Sequence, residues 1–309
     1  MKKIKAVRPY VYPKGVNFKD APYRAWISAG GNKARAFYPW RFFHKFIFNY
    51  DFPDLVKDNE ARLRFVDPQN ILFEAFPDYF LHEIVPMMWD CWPQFHTKMF
   101  IWFKKHHVRT AIFSSSQVAE LFKNKIPSLN VLWCPEAVDT KKYNKGVDLN
   151  KRKIDVLELG RISGLLDKMN ITNINYVRTK RGDRIIYSEQ QLIEIMSGSK
   201  ICITLPRSIT QPSVACNIET LTQRYWECML SRMVMLGHAP EELINLIGYN
   251  PVVELDTEHT TEQVQDILAN IEDYQSLVDK NRETALRMGD WTVRMQEVMK
   301  WLKGCGYEV

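Results

Sequence analysis

The sequence predicts an α/β protein built from two Rossmann-like domains of about 150 residues each. Three observations carry that expectation. Short apolar runs bounded by Gly, Pro or polar residues alternate with helical patterns from residue 70 onward, the order that builds parallel sheets through crossover helices. The charge changes sign along the chain: residues 1–150 hold 23 Lys and Arg against 14 Asp and Glu, a net +9, and residues 151–309 hold 19 against 22, a net −3. Aromatic usage shifts in the same region, with all 16 Phe before residue 124 and six of the nine Trp before residue 134. With 46% hydrophobic and 25% charged residues, 309 residues suffice for two cores.

In the first half, residues 3–12 are read as an opening strand and residues 25–29 as a second, leading into Gly30-Gly31. A Gly pair after a strand lets backbone approach a ligand phosphate closely, or simply turns the chain. Two segments, residues 37–52 (FYPWRFFHKFIFNYDF) and 99–109 (MFIWFKKHHVR), interleave rings with Arg, Lys and His. Such segments suit a membrane interface, where rings sit at headgroup level and cations meet anionic lipid. They equally suit a core helix with a solvated basic face. From residue 70 the pattern turns to alternation: 71–76 is a short apolar run, 110–114 a strand, 116–123 a helix and 130–134 a strand. A site in such a sheet lies beyond the C-terminal strand ends. Asp90, in the loop-like MWDCWP, is the carboxylate placed there, with a structural role as its alternative. Residues 135–153, polar and basic, read as a linker between domains.

The second half alternates more clearly. Residues 155–159 form a strand ending in Gly160-Arg161, followed by a strand at 174–178, a helix at 188–197 and a strand at 201–205. Residues 217–246 then read as a loop, an amphipathic helix, a short buried strand, a loop and a second helix. A strand at 251–255 follows, and helices fill the rest. Thr220 and Gln223 have capping-box spacing, so a helix starts near Thr220, and the free N–H groups at such a start favour a phosphate. Glu219 sits just before that terminus, and Glu227, after seven intervening residues, lies where its carboxylate can accept from vicinal hydroxyls. With 36 acidic residues, about four pairs at this spacing arise by chance, so context decides their meaning. For each glutamate alone, a solvated helix charge is the competing reading. Arg161, at a strand end, can neutralise a diphosphate by bidentate contacts.

Several classes are disfavoured. The chain has no GxGxxG, no HExxH, no Cys/His cluster of zinc spacing and no two aspartates two apart, so a dehydrogenase and a metal site are not expected. No run of about 18 apolar residues exists, and the start lacks an apolar signal region before Pro9. Six scattered cysteines without a CxxC pair fit buried free thiols in a reducing compartment, with the cytoplasm as default.

The stretch ETLTQRYWECMLSRMVMLGHAPEELINLIG resembles the Glu-x7-Glu region of GT-B glycosyltransferases of the group 1 type. VLWCPEAVDTKKY is similar to that family's interdomain signature, DVLELGRIS to its first donor-domain strand, and DWTVRMQEVMKWL to its final helix. These cover the chain from about residue 130 onward in the family's order. The resemblance implies two Rossmann-like domains facing a central cleft, with the last helix crossing back to the N-terminal domain. The implied division is an acceptor-side domain at 1–140, a linker at 141–153, a donor domain at 154–289 and the returning helix at 290–309. By similarity Glu219 contacts the transferred sugar, Glu227 the ribose, and Thr220, Leu221, Thr222, Gln223 and Arg161 the diphosphate. The catalytic candidates are thus Glu219, Arg161 and, on the acceptor side, Asp90; Gly30 and Gly31 join the donor-binding candidates. The family's second cation, five residues after the Arg, is here Leu166, with Lys168 the nearest substitute, and its Gly-rich turn is replaced by TLTQ. The implied chemistry is retaining, metal-independent transfer by front-face displacement, with the leaving diphosphate stabilised electrostatically and no cofactor.

The leading expectation is a glycosyltransferase moving a sugar from a nucleotide-diphosphate sugar to a glycan or lipid-linked acceptor in cell-surface polysaccharide synthesis. Its partners would be the nucleotide sugar, that acceptor and an anionic membrane surface at the inner face of the cell membrane, with no nucleic acid. One alternative is a nucleic-acid-binding protein that uses the basic, aromatic first half for stacking and phosphate contacts. Another is a catalytically inactive sugar-binding scaffold.

Overall fold

The computed structural model describes residues 1–10, 18–38, 44–160, 172–178 and 188–309. The chain divides into two units, one formed by Met1–Glu136 with Trp291–Val309, the other by Ala137–Asp290. The first unit runs β1 (Lys2–Val7), α1 (Asp20–Ser28), β2 (Lys33–Ala34), α2 (His44–Asn49), β3 (Glu60–Val66), α3 (Ile71–Glu74), α4 (Asp78–Leu81), β4 (Glu83–Met88), α5 (Pro93–Lys105), β5 (Thr110–Phe113), α6 (Ser116–Lys125) and β6 (Asn130–Trp133). The second runs β7 (Ile154–Glu158), β8 (Tyr176–Arg178), α7 (Glu189–Ser197), β9 (Ser199–Thr204), α8 (Arg207–Thr210), α9 (Pro212–Ala215), α10 (Gln223–Leu230), β10 (Val234–Gly237), α11 (Glu241–Ile247), β11 (Val252–Glu254), α12 (Thr260–Ala269) and α13 (Gln275–Met288). The chain then returns to the first unit with α14 (Trp291–Gly304) and β12 (Tyr307–Glu308).

Both sheets are parallel throughout. The first has the order β12-β1-β3-β4-β5-β6, with β2 pairing β1. The strand β3 lies inside it and has no counterpart in the sequence reading. Its sequence EARLRFV carries two arginines at buried positions, which disguise a core strand. Arg64 is only 2% exposed; its Nε donates to Asp78 Oδ2 at 2.6 Å and its Nη2 to the Phe76 carbonyl at 2.8 Å. Neighbouring β4 carries Pro86 opposite Arg64, another residue that argues against a central strand when read in isolation.

Residues 25–29, expected as a strand, are instead the end of α1 and its C-cap Ala29. Gly30, at φ 93°, takes the left-handed position after that cap, and the N–H groups of Gly30 and Gly31 bond back to Ile27 and Trp26 carbonyls, a Schellman ending. A Cβ on Gly31 would lie 2.2 Å from Trp26 Nε1, so this glycine lets Trp26 and Met299 of α14 pack against backbone. The Gly pair therefore ends a helix, and its expected phosphate-approach role loses the strand it required. Residues 71–76, expected as an apolar run of the alternation, include the one-turn helix α3.

The second basic aromatic segment resolves into core packing. Met99, Trp102 and Phe103 of α5 are buried, while Lys104 and Lys105 face solvent. The first segment behaves differently among its described residues: Phe37, Phe46 and Tyr50 are exposed, as are nearby Leu55 and Val56.

The second sheet has the order β11-β10-β9-β7-β8. Its strands alternate between two buried faces, as period-2 side chains must. Leu157, Cys202 and Met235 join Ile193, Met196, Trp226, Met229 and Leu243 on one face. Val156, Ile201, Ile203, Val234 and Leu236 join Val264, Ile267 and Val278 on the other. The stretch read as a linker is folded into this unit: Tyr143, Leu149 and Arg152 are buried, and Arg152 Nη1 donates to the Ser199 carbonyl at 2.7 Å.

Candidate functional site

The strand order of the second sheet reverses between β7 and β9, and beyond the C-terminal ends of such strands a parallel sheet offers its ligand crevice. The loop between α9 and α10, in the connection from β9 to β10, carries Glu219, and the residue directly after β10 is His238. Gly237, the last residue of β10, pairs with Thr204 of β9 and Glu254 of β11. A Cβ on Gly237 would lie 1.8 Å from the Thr204 carbonyl oxygen, so only glycine lets β10 close on β9 here. The His238 N–H donates to that same carbonyl at 2.9 Å, and the His238 carbonyl accepts from Tyr225 OH at 2.7 Å. The Thr204 hydroxyl is buried with no hydrogen-bond partner among the described residues.

Two carboxylates converge on His238. Its Nδ1 is 2.7 Å from Glu254 Oε1, and its Nε2 is 3.4 Å from Glu219 Oε2. Ser208 Oγ donates to Glu219 Oε1 at 3.2 Å. Partial burial alone would lower the His238 pKa, but the hydrogen bond to Glu254 and the charges of Glu219 and Glu254 outweigh it and hold it above its ordinary value. Glu219 remains about a quarter exposed, 26% for its side chain, so its carboxylate is both positioned and accessible.

The expected phosphate loop differs from its sequence reading. The helix α10 begins at Gln223 with Thr222 as N-cap and no side-chain cap bond, so the capping box read at Thr220 and Gln223 is not formed. Leu221 is fully buried and its N–H donates to the Glu242 carboxylate, so an acidic side chain of this protein occupies one amide read as a phosphate donor. Glu227 is buried, 8% exposed, in contrast to Glu219. Its Oε1 accepts from Tyr143 OH at 3.2 Å and its Oε2 pairs with Arg224 Nη1 at 2.9 Å. Burial first, and Glu227 second, push the Tyr143 hydroxyl well above its ordinary pKa, keeping it a donor. Arg161 and Lys168 lie outside the described residues. Glu219, Thr220, Leu221, Thr222, Gln223 and Glu227 thus share the second unit, whereas Gly30, Gly31 and Asp90 belong to the first.

In the first unit Asp90 follows β4 at φ 48°, exposed, directly after the buried Trp89. Asp67, just beyond β3, and Glu74 both pair with the buried Lys19, at 2.6 Å each, and the Asp67 N–H donates to Glu74 Oε2 at 2.7 Å. Burial raises the Asp67 carboxyl from 3.8 to about 7; Lys19 opposes this, while Glu74 and Asp90 add to it. Between those two values the folded chain holds a proton the unfolded chain has released, so stability falls as pH rises through that window. Asp67→Asn should flatten this part of a urea-unfolding profile against pH; an unchanged slope would place the proton elsewhere.

Among the described residues no group of three His, Cys, Asp or Glu side chains is arranged to hold a metal ion. His238, Ser208, Glu242 and Glu254 were not singled out by the sequence. The one available signal was a polar residue immediately following the short buried strand, in VMLGHAP.

No protein-family model matches the sequence, and no curated protein matches it. Solved structures do match over nearly the whole chain. Sucrose-phosphate synthase from Thermosynechococcus elongatus aligns with 11% identity over 99% of both chains, with a TM-score of 0.63. HepE from Anabaena, solved in complex with UDP-glucose, aligns with 10% identity over 98% of this chain and 100% of that one, TM-score 0.59. AviGT4, a glycosyltransferase involved in avilamycin A biosynthesis, aligns with 11% identity over 97% of this chain and 96% of that one, TM-score 0.55. At such identities the likeness establishes the fold: two parallel-sheet α/β units, as in GT-B glycosyltransferase structures.

Proposed function

We propose that this protein is a glycosyltransferase that moves a sugar from a nucleotide-diphosphate sugar to a glycan or lipid-linked acceptor, with retention and without a metal. The observation that carries the reading is the match over nearly the whole chain to AviGT4, a glycosyltransferase, and to HepE, solved with UDP-glucose. The second unit supplies the donor side, around Glu219 and His238 at the C-terminal edge of its sheet, and the first unit, with Asp90, the acceptor side. Glu219 meets hydroxyls of the transferred sugar. Glu227, held by Tyr143 and Arg224, borders the ribose. Arg161 and Lys168 are the cations assigned to the diphosphate, where fixed positive charge stabilises the departing group.

A thermal-shift panel of UDP, GDP, CMP and their sugars tests the reading. The matching nucleotide should stabilise the protein by RT ln(1 + [L]/Kd), about 2.7 kcal/mol at a hundredfold excess over Kd. A melting temperature unmoved by every nucleotide would contradict it.

The exposed Phe37, Phe46, Tyr50, Leu55 and Val56 support peripheral contact with a membrane that carries a lipid-linked acceptor. Liposomes containing anionic lipid should carry the protein upward in a flotation gradient, less so at high salt, and the double variant Phe46→Ser/Tyr50→Ser should remain at the bottom. Equal flotation of variant and wild type would remove this patch from any membrane role.

A further inference from the structure

The convergence at His238 goes beyond a chance surface ion pair in how it is built. Parallel register sets Glu254, the last residue of β11, beside Gly237, the residue before His238. Three further bonds fix the local backbone: His238 N–H to the Thr204 carbonyl at 2.9 Å, Tyr225 OH to the His238 carbonyl at 2.7 Å, and Leu255 N–H to the Gly237 carbonyl at 2.8 Å. Glycine at 237 is sterically required for this approach. With its backbone held and Nδ1 hydrogen-bonded to Glu254, the imidazole presents Nε2 3.4 Å from Glu219 Oε2.

We propose that His238 is a positioning residue that holds the Glu219 carboxylate ready for the hydroxyls of the donor sugar, with Glu254 as its anchor. The inference rests on the donor site proposed above and adds to it a chain of contacts, Glu254 to His238 to Glu219, that spans β11, β10 and the loop between α9 and α10. A carboxylate on a loop samples many rotamers, and a hydrogen-bonding partner held by the sheet beside it narrows that freedom before the ligand arrives. Among the described residues the imidazole meets Glu254 through Nδ1 and Glu219 through Nε2, and the Tyr225 hydroxyl donates to the His238 carbonyl.

Two measurements test the proposal. In the ligand-free protein, the His238 imidazole followed by NMR should titrate above its ordinary 6.5 and move back toward it in both Glu254→Gln and Glu219→Gln. A wild-type His238 that titrates at the ordinary value overturns the bridge whatever the ligand. By calorimetry with UDP-glucose and UDP as probes, His238→Gln should weaken UDP-glucose about tenfold or more while sparing UDP. The double variant His238→Gln/Glu219→Gln should be no weaker than Glu219→Gln alone, because His238 acts through Glu219. Additive losses, or Glu219→Gln weakening UDP-glucose while His238→Gln does not, would overturn the proposal and leave the donor site standing. A wild-type protein that binds neither probe would count against a UDP-sugar donor site, and the titration still decides the bridge.

Discussion

Replacing Glu219 with Gln is expected to lower sugar transfer about 100- to 1,000-fold, the usual loss when one preorganised polar group leaves a reacting centre. The melting temperature should stay close to wild type. Both halves follow from the geometry. The Glu219 side chain is 26% exposed, sits on a loop and packs into neither hydrophobic cluster, so the isosteric amide fits without a cavity. Its carboxylate is nevertheless held by Ser208 Oγ and faced by His238, as the proposed donor site requires. Gln offers His238 Nε2 one neutral oxygen and presents an N–H where sugar hydroxyls need an acceptor. Full transfer activity in Glu219→Gln, measured as release of nucleoside diphosphate with the acceptor present, would remove this residue from the site. Glu227→Gln should behave in the opposite sense: Glu227 is buried against Arg224 and Tyr143, so stability should fall along with activity.

Asp78→Ala is expected to destabilise the protein by about 3–5 kcal/mol, the cost of leaving a buried charge uncompensated. Arg64 is 2% exposed in the central strand β3, and Asp78 Oδ2 accepts from its Nε at 2.6 Å; Arg62 Nε lies 3.9 Å from Asp78 Oδ1 and His82 Nε2 3.6 Å. Truncating Asp78 leaves Arg64 inside the sheet without a counter-charge. The double variant Arg64→Met/Asp78→Ala removes both charges and should recover part of the loss, since an apolar chain of similar reach suits a core strand. Urea unfolding of the wild type, both single variants and the double variant closes this cycle. A double variant as unstable as the sum of the singles would mean the two side chains act independently.

These residues also explain what could be read from the sequence and what could not. Strands β5, β6, β7, β9, β10 and β11 announce themselves as apolar runs; in the inner strands β5, β9 and β10 nearly every side chain is buried, because both faces of a parallel sheet are covered. The strand β3 does not, since Arg62 and Arg64 look solvated until Asp78 and His82 are brought to them by the fold. At the end of α1 and its C-cap, the five residues AWISA are too short to separate a period of two from one of 3.6, and the apolar run alone reads as a strand. At the candidate site, the spacing of Glu219 and Glu227 singles out a stretch that lies in the loop before α10 and in α10 itself. It could not say that one carboxylate faces solvent and the other lies buried under Tyr143 and Arg224. The contacts of His238 with Glu219 and Glu254 join three segments through sheet register, and the Glu242 bond to Leu221 reaches across 21 residues. Such pairings arise from topology, which a linear pattern of polar residues does not encode.

The most direct test of a donor site at the C-terminal edge of the second sheet is amide hydrogen exchange of the whole chain. It would be run with and without the nucleotide sugar that gives the largest thermal shift. Protection should appear in residues 205–222 and 238–240, the segments that follow β9 and β10, and should be reduced for that sugar in Glu219→Gln. Protection confined to residues 1–136, or no protection at saturating ligand, would contradict the assignment.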